Sequence, residues 1–430
     1  MSDVPHQAAS GGPDRFIPVR KSDIISALIE QGALASEAER DTFRRLCEIL
    51  VAIFHYDYFK TLERLRSDYY YFSPEIAPHA GMDRASLDRA YADLVQSLEQ
   101  VLKDANFIEM PHGEIGDAHR RRAGLRVNVK APLNDFRDVR MWRRGRHTEQ
   151  FEVAEWFGLR RRKAEAEVYD DVVLLVAMKS NDEIGSRRER RVLERRKITP
   201  GSVLLKYFRN IAGGDLHALF PNVRVVMSGR DKLALGLPAI FGGIPILLKV
   251  YATITVLFLV IGFYLGKSAS LEERDMATAL AALGGLLALG AFVVQQWVKY
   301  QWKSLRYRTE LTDNVYYRNI NNNAGIFDYL IGAAEDQECK EAFLAYYFLR
   351  ATPSPPTADE LGSRIEAWLK KTFGVKVGFE VNGALDKLER LGLLSRQQER
   401  LFVSPLDGAL AQLQRLWDGF FSSARQAAAK

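Results

Sequence analysis

The side chains best able to do chemistry in this chain are basic, and they occur in clusters. The formal net charge is +6 at pH 7. The excess is concentrated between His119 and Lys197, where 22 Lys or Arg stand against 13 Asp or Glu. Positive charge focused in this way favours an anionic partner, such as lipid headgroups or nucleic acid. The clusters are Arg120–Arg122, Arg143–Arg144, Arg160–Lys163 and Arg187–Lys197.

These basic clusters have two interpretations. One is a solvated surface with partly paired charges, because acidic residues such as Glu165 and Glu194 are interspersed. The other is a face that lies against anionic lipid, where each nearby Lys or Arg contributes about 1 kcal/mol. The predicted contacts with anionic headgroups are Arg160, Arg161, Arg162, Lys163, Arg230, Lys232, Lys249, Lys299 and Lys303.

The other reactive residue types form no catalytic pattern. The seven histidines are scattered, and none lies in an H-E-x-x-H array, so we expect no metal site. Cys47 and Cys339 lie far apart without C-x-x-C spacing, which argues against a disulfide framework and structural zinc. Neither a G-x-S-x-G nor a G-x-G-x-x-G motif occurs. We therefore expect no catalytic residues and no cofactor, and the sequence favours a protein that is not an enzyme.

An aromatic run, Tyr69–Phe72, follows the first helical region. Stacked aromatic rings can hold a nucleobase. Packing in a hydrophobic core is the commoner role of such residues, and it is the interpretation we favour.

Two apolar stretches near the middle of the chain organise the predicted fold. Residues 233–266 carry one charged side chain, Lys249, and residues 276–298 carry none. A bilayer core about 30 Å thick needs ~20 apolar residues of helix. The sequence therefore predicts a transmembrane hairpin, with spans at about 244–266 and 277–297. Residues 234–248 would be interfacial or re-entrant.

The flanks and small residues of the hairpin predict its orientation and packing. Lys and Arg are common on both sides and scarce in the connector 267–275, so both termini should face the cytoplasm. The expected location is the bacterial inner (plasma) membrane, as a multi-pass protein. Packing within the hairpin is favoured over homo-oligomer formation. The predicted helix-packing residues are Gly262, Gly266, Ala281, Gly285 and Ala288.

The rest of the chain is predicted to be α+β and mostly α-helical. Apolar residues at helical spacing fill much of residues 22–107, and short strands are expected at 125–130 and 168–179 among basic loops. Near the C-terminus, three helices and a two-stranded hairpin resemble a winged helix. Its elements are predicted at 338–350, 358–373, 379–391, 393–395 and 400–403.

The third helix of this winged-helix-like region argues against DNA binding. It carries Glu380, Asp386 and Glu389 against Lys387 and Arg390. Phosphate contacts require a positive surface. We therefore expect no nucleic-acid partner, and favour a protein-interaction or structural role.

These patterns predict a sequence of domains. They are a disordered tail 1–14, an N-terminal helical domain 15–111, a basic α/β domain 112–232, a membrane module 233–305, a juxtamembrane segment with a helix and linker 306–356, a winged-helix-like domain 357–418, and a tail 419–430.

Several short segments also carry a family resemblance. They are Lys206–Ile211, Asp215–Pro221, Asp231–Leu233, Tyr316–Asn319 and Asn321–Gly325, together with Gly236, Pro238, Gly242 and Gly243. From about Phe16 to Trp417 the chain resembles the domain-of-unknown-function 3754 family, which includes the mitochondrial transmembrane protein 143 of animals. The resemblance implies a membrane protein and assigns no chemical role to any residue.

The leading hypothesis from the sequence is a two-pass membrane-tethered adaptor or regulator with its soluble domains on the cytoplasmic face. Its expected partners are the lipid bilayer and an unidentified protein. The alternatives are a membrane-bound enzyme with a site near Asn319–Asn323, and a subunit of an oligomeric pore.

Overall fold

The protein is described from a computed structural model. It describes residues 14–75, 83–117, 129–155, 160–185, 199–225 and 317–428, and isolated positions between 190 and 305. The chain divides into two compact units. The first comprises Met1–Asp117, Leu133–Gly213 and Arg318–Lys430, and the second comprises Ala118–Pro132 and Gly214–Tyr317.

The first unit is mainly helical. Ser36 begins the second helix by accepting a hydrogen bond from the Glu39 backbone N–H, and Thr357 and Glu360 form a capping box at the start of the sixth. In chain order the helices are α1 Lys21–Glu30, α2 Glu37–Tyr70, α3 Arg84–Asp104, α4 His112–Asp117, α5 Ile326–Ala351, α6 Ala358–Phe373, α7 Val381–Arg390 and α8 Leu406–Ala428.

One antiparallel sheet accompanies these helices, with strand order β1-β3-β4-β5-β7. A separate hairpin, β8 and β9, follows α7. The strands of the first unit are β1 Ile108–Glu109, β3 Asp138–Glu155, β4 Arg160–Ala177, β5 Val203–Ala212, β7 Asn319–Asn322, β8 Leu394–Gln397 and β9 Arg400–Val403.

In the second unit, β2 Val129–Lys130 pairs antiparallel with β6 Arg224–Val225. The Asn222 side-chain amide donates to the Pro132 carbonyl (2.7 Å), and the Ala131 N–H donates to His217 Nδ1 (3.3 Å). These bonds hold the described segments of this unit to each other.

Helix α5 is the centre of the first unit. Every residue from Gln337 to Leu349 is buried, and the helix packs against α1, α2, α3, α6, α7 and β5. A helix enclosed on all sides is expected to be apolar all round. Nevertheless, four polar residues stand within 337–341, and buried polar groups require partners inside the protein. Those partners define the two charged sites described below.

The basic region forms strands where loops among short strands were expected. Arg143 and Arg144 lie inside β3, and Arg160–Lys163 begins β4. The prediction of basic loops was wrong at these positions, because the two faces of a strand allow charged and apolar residues to alternate. The strand predicted at 168–179 is confirmed by β4. Of the strand predicted at 125–130, Val129–Lys130 is a strand and the rest lies outside the described residues.

The predicted transmembrane hairpin is contradicted by the structure. The spans 244–266 and 277–297 fall almost entirely outside the described residues. In the part of the chain that the structure describes, no helix combines the length and apolar character needed to cross a bilayer. The hairpin was predicted from apolar runs alone, and such a run does not distinguish burial in lipid from burial in protein.

Without a transmembrane hairpin, the predicted function and location of the protein also change. The inner-membrane location and the orientation of the termini were inferred from it and are withdrawn. Three hypotheses are withdrawn with them: the membrane-tethered adaptor, the membrane-bound enzyme and the oligomeric pore. Each of them assumed an integral membrane protein. The α+β, mostly helical character of the chain is retained.

At the C-terminus, α6, α7, β8 and β9 lie where three helices and a hairpin were expected, with the end of α5 as the first helix. Their buried residues belong to the same hydrophobic core as those of α1, α2, α3 and the sheet. In the aromatic run, Tyr69 and Phe72 are buried as predicted, whereas Tyr70 and Tyr71 are exposed.

Candidate functional site

A cleft of about 820 Å³ opens in the first unit. Four elements line it: the segment Phe16–Ser22, which leads into α1; strand β3 through Arg144; strand β5 through Tyr207 and Arg209; and the N-terminal half of α5. The described lining includes five Lys or Arg side chains and one Asp. The origin and partners of these charges determine what the cleft can bind.

One wall is a ladder of charged residues across three strands. In the sheet register, Arg144 on β3 lies opposite Asp171 on β4, and Asp171 lies opposite Arg209 on β5. Directly opposed residues have neighbouring side chains on one face of the sheet. Arg144 Nε and one terminal nitrogen donate to Asp171 Oδ2 (3.0 and 2.5 Å), and Arg209 Nε donates to Oδ1 (3.3 Å). One buried carboxylate is thus shared by two arginines.

The two arginines of this ladder differ in availability. Arg144 is buried between the rings of Phe16 (4.4 Å) and Phe107 (4.7 Å), and also donates to the Ala105 carbonyl (3.3 Å). Its role is structural. The side chain of Arg209 lines the cleft and is 53% exposed.

Helix α5 fixes the opposite side of the cleft. Gln337 Oε1 accepts from the Ile17 N–H (3.0 Å), and Gln337 Nε2 donates to the Ile17 carbonyl (3.3 Å). Lys340 Nζ donates to the same carbonyl (3.1 Å) and pairs with Asp336 (2.5 Å). Burial lowers the pKa of Lys340, and Asp336 opposes this shift. These bonds hold the extended segment before α1 in place.

The anchored segment directs the N-terminus of α1 toward the cleft. Arg20 is the N-cap residue, and no side chain caps the helix there. The first backbone N–H groups of a helix lack intrahelical partners and attract anions. Arg20 is exposed, and Lys21 lies 3.7 Å from Glu335 and 3.9 Å from Asp336.

The charge balance of the cleft is positive. It has five cationic side chains, and four of them contact a total of three carboxylates, those of Asp171, Glu335 and Asp336. Two positive charges therefore remain, and Arg20 and Arg209 are the most exposed cationic groups. Such an arrangement suits a phosphate or carboxylate group.

Two tyrosines add aromatic surface to the cleft. Tyr207 on β5 is buried, and its ring lies 5.9 Å from that of Tyr329 on α5, with 30° between the planes. Tyr329 is 43% exposed. Burial raises the pKa of Tyr207, and the nearby Asp171 carboxylate raises it further, so its hydroxyl stays protonated.

A second charged site lies on another side of α5. Lys387 of α7 contacts Glu338 Oε1 (2.6 Å) and Glu341 Oε2 (2.8 Å). Asn106 donates to Glu341 Oε1 (2.8 Å). Asp104, at the end of α3, accepts from the Tyr58 hydroxyl (3.1 Å) of α2. We call Glu338, Glu341, Lys387, Asp104 and Tyr58 the buried cluster.

The buried cluster has more carboxylates than cations. Burial raises the pKa of Glu338 to about 7, the charges of Asp104 and Glu341 act in the same direction, and Lys387 opposes them. Burial also raises the pKa of Asp104. One lysine cannot neutralise three carboxylates, so Glu338 holds a proton near neutral pH.

The predicted lipid contacts are not among the described residues that line the cleft. Arg160–Lys163 begins β4, and the structure does not describe these side chains. Lys299 occupies an exposed helical position. Arg230, Lys232, Lys249 and Lys303 lie outside the described residues. The proposed contact of all these residues with anionic headgroups stays a prediction.

Of the predicted helix-packing residues, Gly262 is helical and Gly266 has a positive φ of 72°. Ala281, Gly285 and Ala288 lie outside the described residues. Their packing role stays a prediction.

The asparagine segment proposed as part of a site has a structural role. Asn319–Asn322 forms β7, which pairs with β5. The Asn321 side chain donates to the Gly325 carbonyl (2.9 Å) and accepts from the Asn322 N–H (2.8 Å). These bonds shape the turn into α5, and the segment is absent from the described cleft lining.

Among the described residues, no group of three or more His, Cys, Asp or Glu side chains is placed to hold a metal ion. Cys47 and Cys339 are free and buried.

A family described as "Protein of unknown function (DUF3754)" matches residues 169–325. Over these residues the chain resembles the DUF3754 family. The DUF3754 match includes Asp171, Tyr207 and Arg209 of the cleft wall, whereas Arg20, Lys21 and Tyr329 lie outside it. The further resemblance to the animal transmembrane protein stays a prediction. No solved structure matches the chain.

Proposed function

We propose that this protein binds a small phosphate- or carboxylate-bearing ligand in the cleft. One observation carries the proposal: cationic side chains from separate elements converge on one cavity and outnumber the carboxylates that contact them. Arg20 and Lys21 come from the start of α1, and Arg209 comes from β5.

The position of these groups supports binding rather than general solvation. Arg209 is held by Asp171, and Asp171 is in turn fixed by Arg144 of the neighbouring strand β3. The start of α1 is held through the Ile17 backbone by Gln337 and Lys340. Groups fixed before binding lose little conformational entropy when the ligand arrives.

An anionic group at this place would complete the local hydrogen bonding. It would accept from the Arg209 guanidinium and from the uncapped N–H groups of α1. Hydrogen bonds to charged groups contribute about 1.5–3 kcal/mol each. A neutral ligand would leave the excess positive charge uncompensated.

Isothermal titration calorimetry with inorganic pyrophosphate tests the proposal on the full chain at low salt. We expect saturable binding that weakens at least about tenfold in an Arg20→Gln/Arg209→Gln variant, which corresponds to about 1.4 kcal/mol. Arg396→Gln is the matched control, because Arg396 is a partly exposed arginine paired with Asp386 and Glu389 away from the cleft lining.

Two results would overturn the proposal. The first is that the unaltered protein shows no saturable binding. The second is that the control weakens binding as much as the double substitution does, since binding would then reflect overall charge.

A further inference from the structure

We infer that the ligand of the cleft is a nucleotide-class molecule, in which an aromatic ring is joined to a phosphate. This inference rests on the proposed anion binding and adds the aromatic part. Its basis is the placement of Tyr329 and Arg209 around one buried ring, that of Tyr207.

Tyr329 has the geometry of a stacking platform. Tyr207 is 1% exposed and supports the Tyr329 ring from within the protein. Tyr329 lines the cleft and is 43% exposed, so the ring that Tyr207 supports is open to a ligand. Nucleobases stack on aromatic side chains held in this way, whatever their identity.

The cationic groups lie within reach of the same ligand. The Arg209 guanidinium carbon is 6.0 Å from the Tyr207 ring centroid, and the Tyr329 ring is 5.9 Å from it. The Tyr329 ring and the exposed Arg209 guanidinium therefore both lie about 6 Å from the Tyr207 ring. A base stacked on Tyr329 can place its phosphate near Arg209 and the start of α1.

The size of the cleft agrees with this ligand class. Its volume of about 820 Å³ exceeds what a lone phosphate fills. Sites for small organic ligands occupy about 300–1,000 Å³ and combine apolar surface with a few polar groups. Here the aromatic surface comes from Phe16, Tyr207 and Tyr329.

Titration of the full chain with three related probes separates the two parts of the ligand. The probes are adenosine 5′-monophosphate, ribose 5-phosphate and adenosine. We expect the nucleotide to bind roughly tenfold or more tightly than ribose 5-phosphate, and adenosine to bind most weakly. Saturation-transfer NMR should show stronger transfer to the adenine protons than to the ribose protons.

Substitutions of Tyr329 sharpen the test. Tyr329→Ala should lower nucleotide affinity to about that of ribose 5-phosphate and leave ribose 5-phosphate unchanged. Tyr329→Phe should retain tight nucleotide binding, because its ring is kept. Tyr70→Ala is the matched control, since Tyr70 is an exposed tyrosine of α2 outside the described cleft lining.

Failure of the aromatic part and failure of anion binding give different results. Equal affinity for the nucleotide and ribose 5-phosphate, with no effect of Tyr329→Ala, would overturn the inference while anion binding stands. If no phosphate-bearing probe binds and pyrophosphate also fails, the proposed function falls as well.

Discussion

The cleft and the buried cluster are two charged sites built on the same stretch of helix α5. Gln337 and Lys340, three residues apart, face the cleft, whereas Glu338 and Glu341, also three residues apart, face α3 and α7. Residues at this spacing share one side of a helix. Neighbouring residues of α5 therefore belong to different charged sites: Gln337 and Lys340 to the cleft, and Glu338 and Glu341 to the buried cluster.

The cleft and the buried cluster differ in the sign of their surplus charge and in whether that charge is exposed to water. The cleft has surplus cations near solvent, where a ligand can neutralise them. The buried cluster has surplus carboxylates in the interior, where only a proton can do so. This difference fits the proposed binding role of the cleft and a role of the cluster in stability.

The largest expected effect is loss of the cluster's single cation. Lys387→Met leaves Glu338 and Glu341 buried without their counter-ion, and such losses destabilise proteins by ~3–5 kcal/mol. Urea denaturation monitored by circular dichroism measures the change. Arg396→Met is the control, because its partly exposed ion pairs contribute about 1 kcal/mol or less. Equal, small losses in both variants would show that the cluster does not depend on charge pairing.

A second effect is pH-dependent stability from Glu338. Burial raises its pKa from an ordinary 4.5 to about 7, so the folded state holds the proton more tightly than the unfolded state. The resulting stabilisation is complete below about pH 4.5 and is lost as pH rises through 7. The loss is about 3 kcal/mol.

Denaturation profiles between pH 5 and pH 8 test this dependence. Glu338→Gln does not titrate, so its stability relative to the unaltered protein should rise by about 2.5 kcal/mol across that range. Glu63→Gln, an exposed carboxyl on α2, should give a profile parallel to that of the unaltered protein. A parallel profile for Glu338→Gln would contradict the account of the cluster.

A third expectation separates binding from stability at the cleft. Arg209→Gln should weaken pyrophosphate binding about tenfold, because an exposed, oriented guanidinium is lost. The free energy of unfolding should fall by only about 1 kcal/mol, since Arg144 still pairs with Asp171. Calorimetry and urea denaturation on the same sample measure both quantities. If Arg209→Gln caused a large loss of stability and left pyrophosphate binding unchanged, Arg209 would be a structural residue and the binding role of the cleft would be contradicted.

The smallest expected effect is a difference in salt dependence. Raising the ionic strength from about 0.01 to 0.15 M shortens the screening length from about 30 to 8 Å. Pyrophosphate affinity should fall several-fold, because the cleft is open to solvent. The stability loss caused by Lys387→Met should stay nearly constant, because the cluster is shielded from ions. Equal salt dependence of both quantities would remove the distinction in solvent access.

Some helices and strands could be predicted from the sequence, whereas the cleft and the buried cluster could not. The capping pair Thr357 and Glu360 marks the start of α6 locally, and the apolar run in 171–176 marks β4. The ladder of Arg144, Asp171 and Arg209 depends on the register of three strands. Register follows from the packed sheet, so the basic pair at 143–144 was interpreted as a loop.

Helix α5 illustrates the same limit. The apolar spacing of Phe343, Tyr346 and Leu349 predicts a helix, and the structure has one. Nothing local shows that Glu338 and Lys340 are buried on different sides, because their partners come from α7 and the segment before α1. The apolar stretches of 233–298 likewise do not show by themselves what surrounds them, and their described large side chains, such as Phe258 and Leu287, are exposed.

The most direct test of the account is the position of a bound anion in crystals of the full chain. Tungstate is a heavy tetrahedral stand-in for phosphate, and its anomalous scattering locates it without ambiguity. The account predicts an anomalous peak within hydrogen-bond distance of Arg20 and Arg209, absent from the Arg20→Gln/Arg209→Gln variant. A cleft without a peak, while tungstate occupies other surfaces, would contradict it.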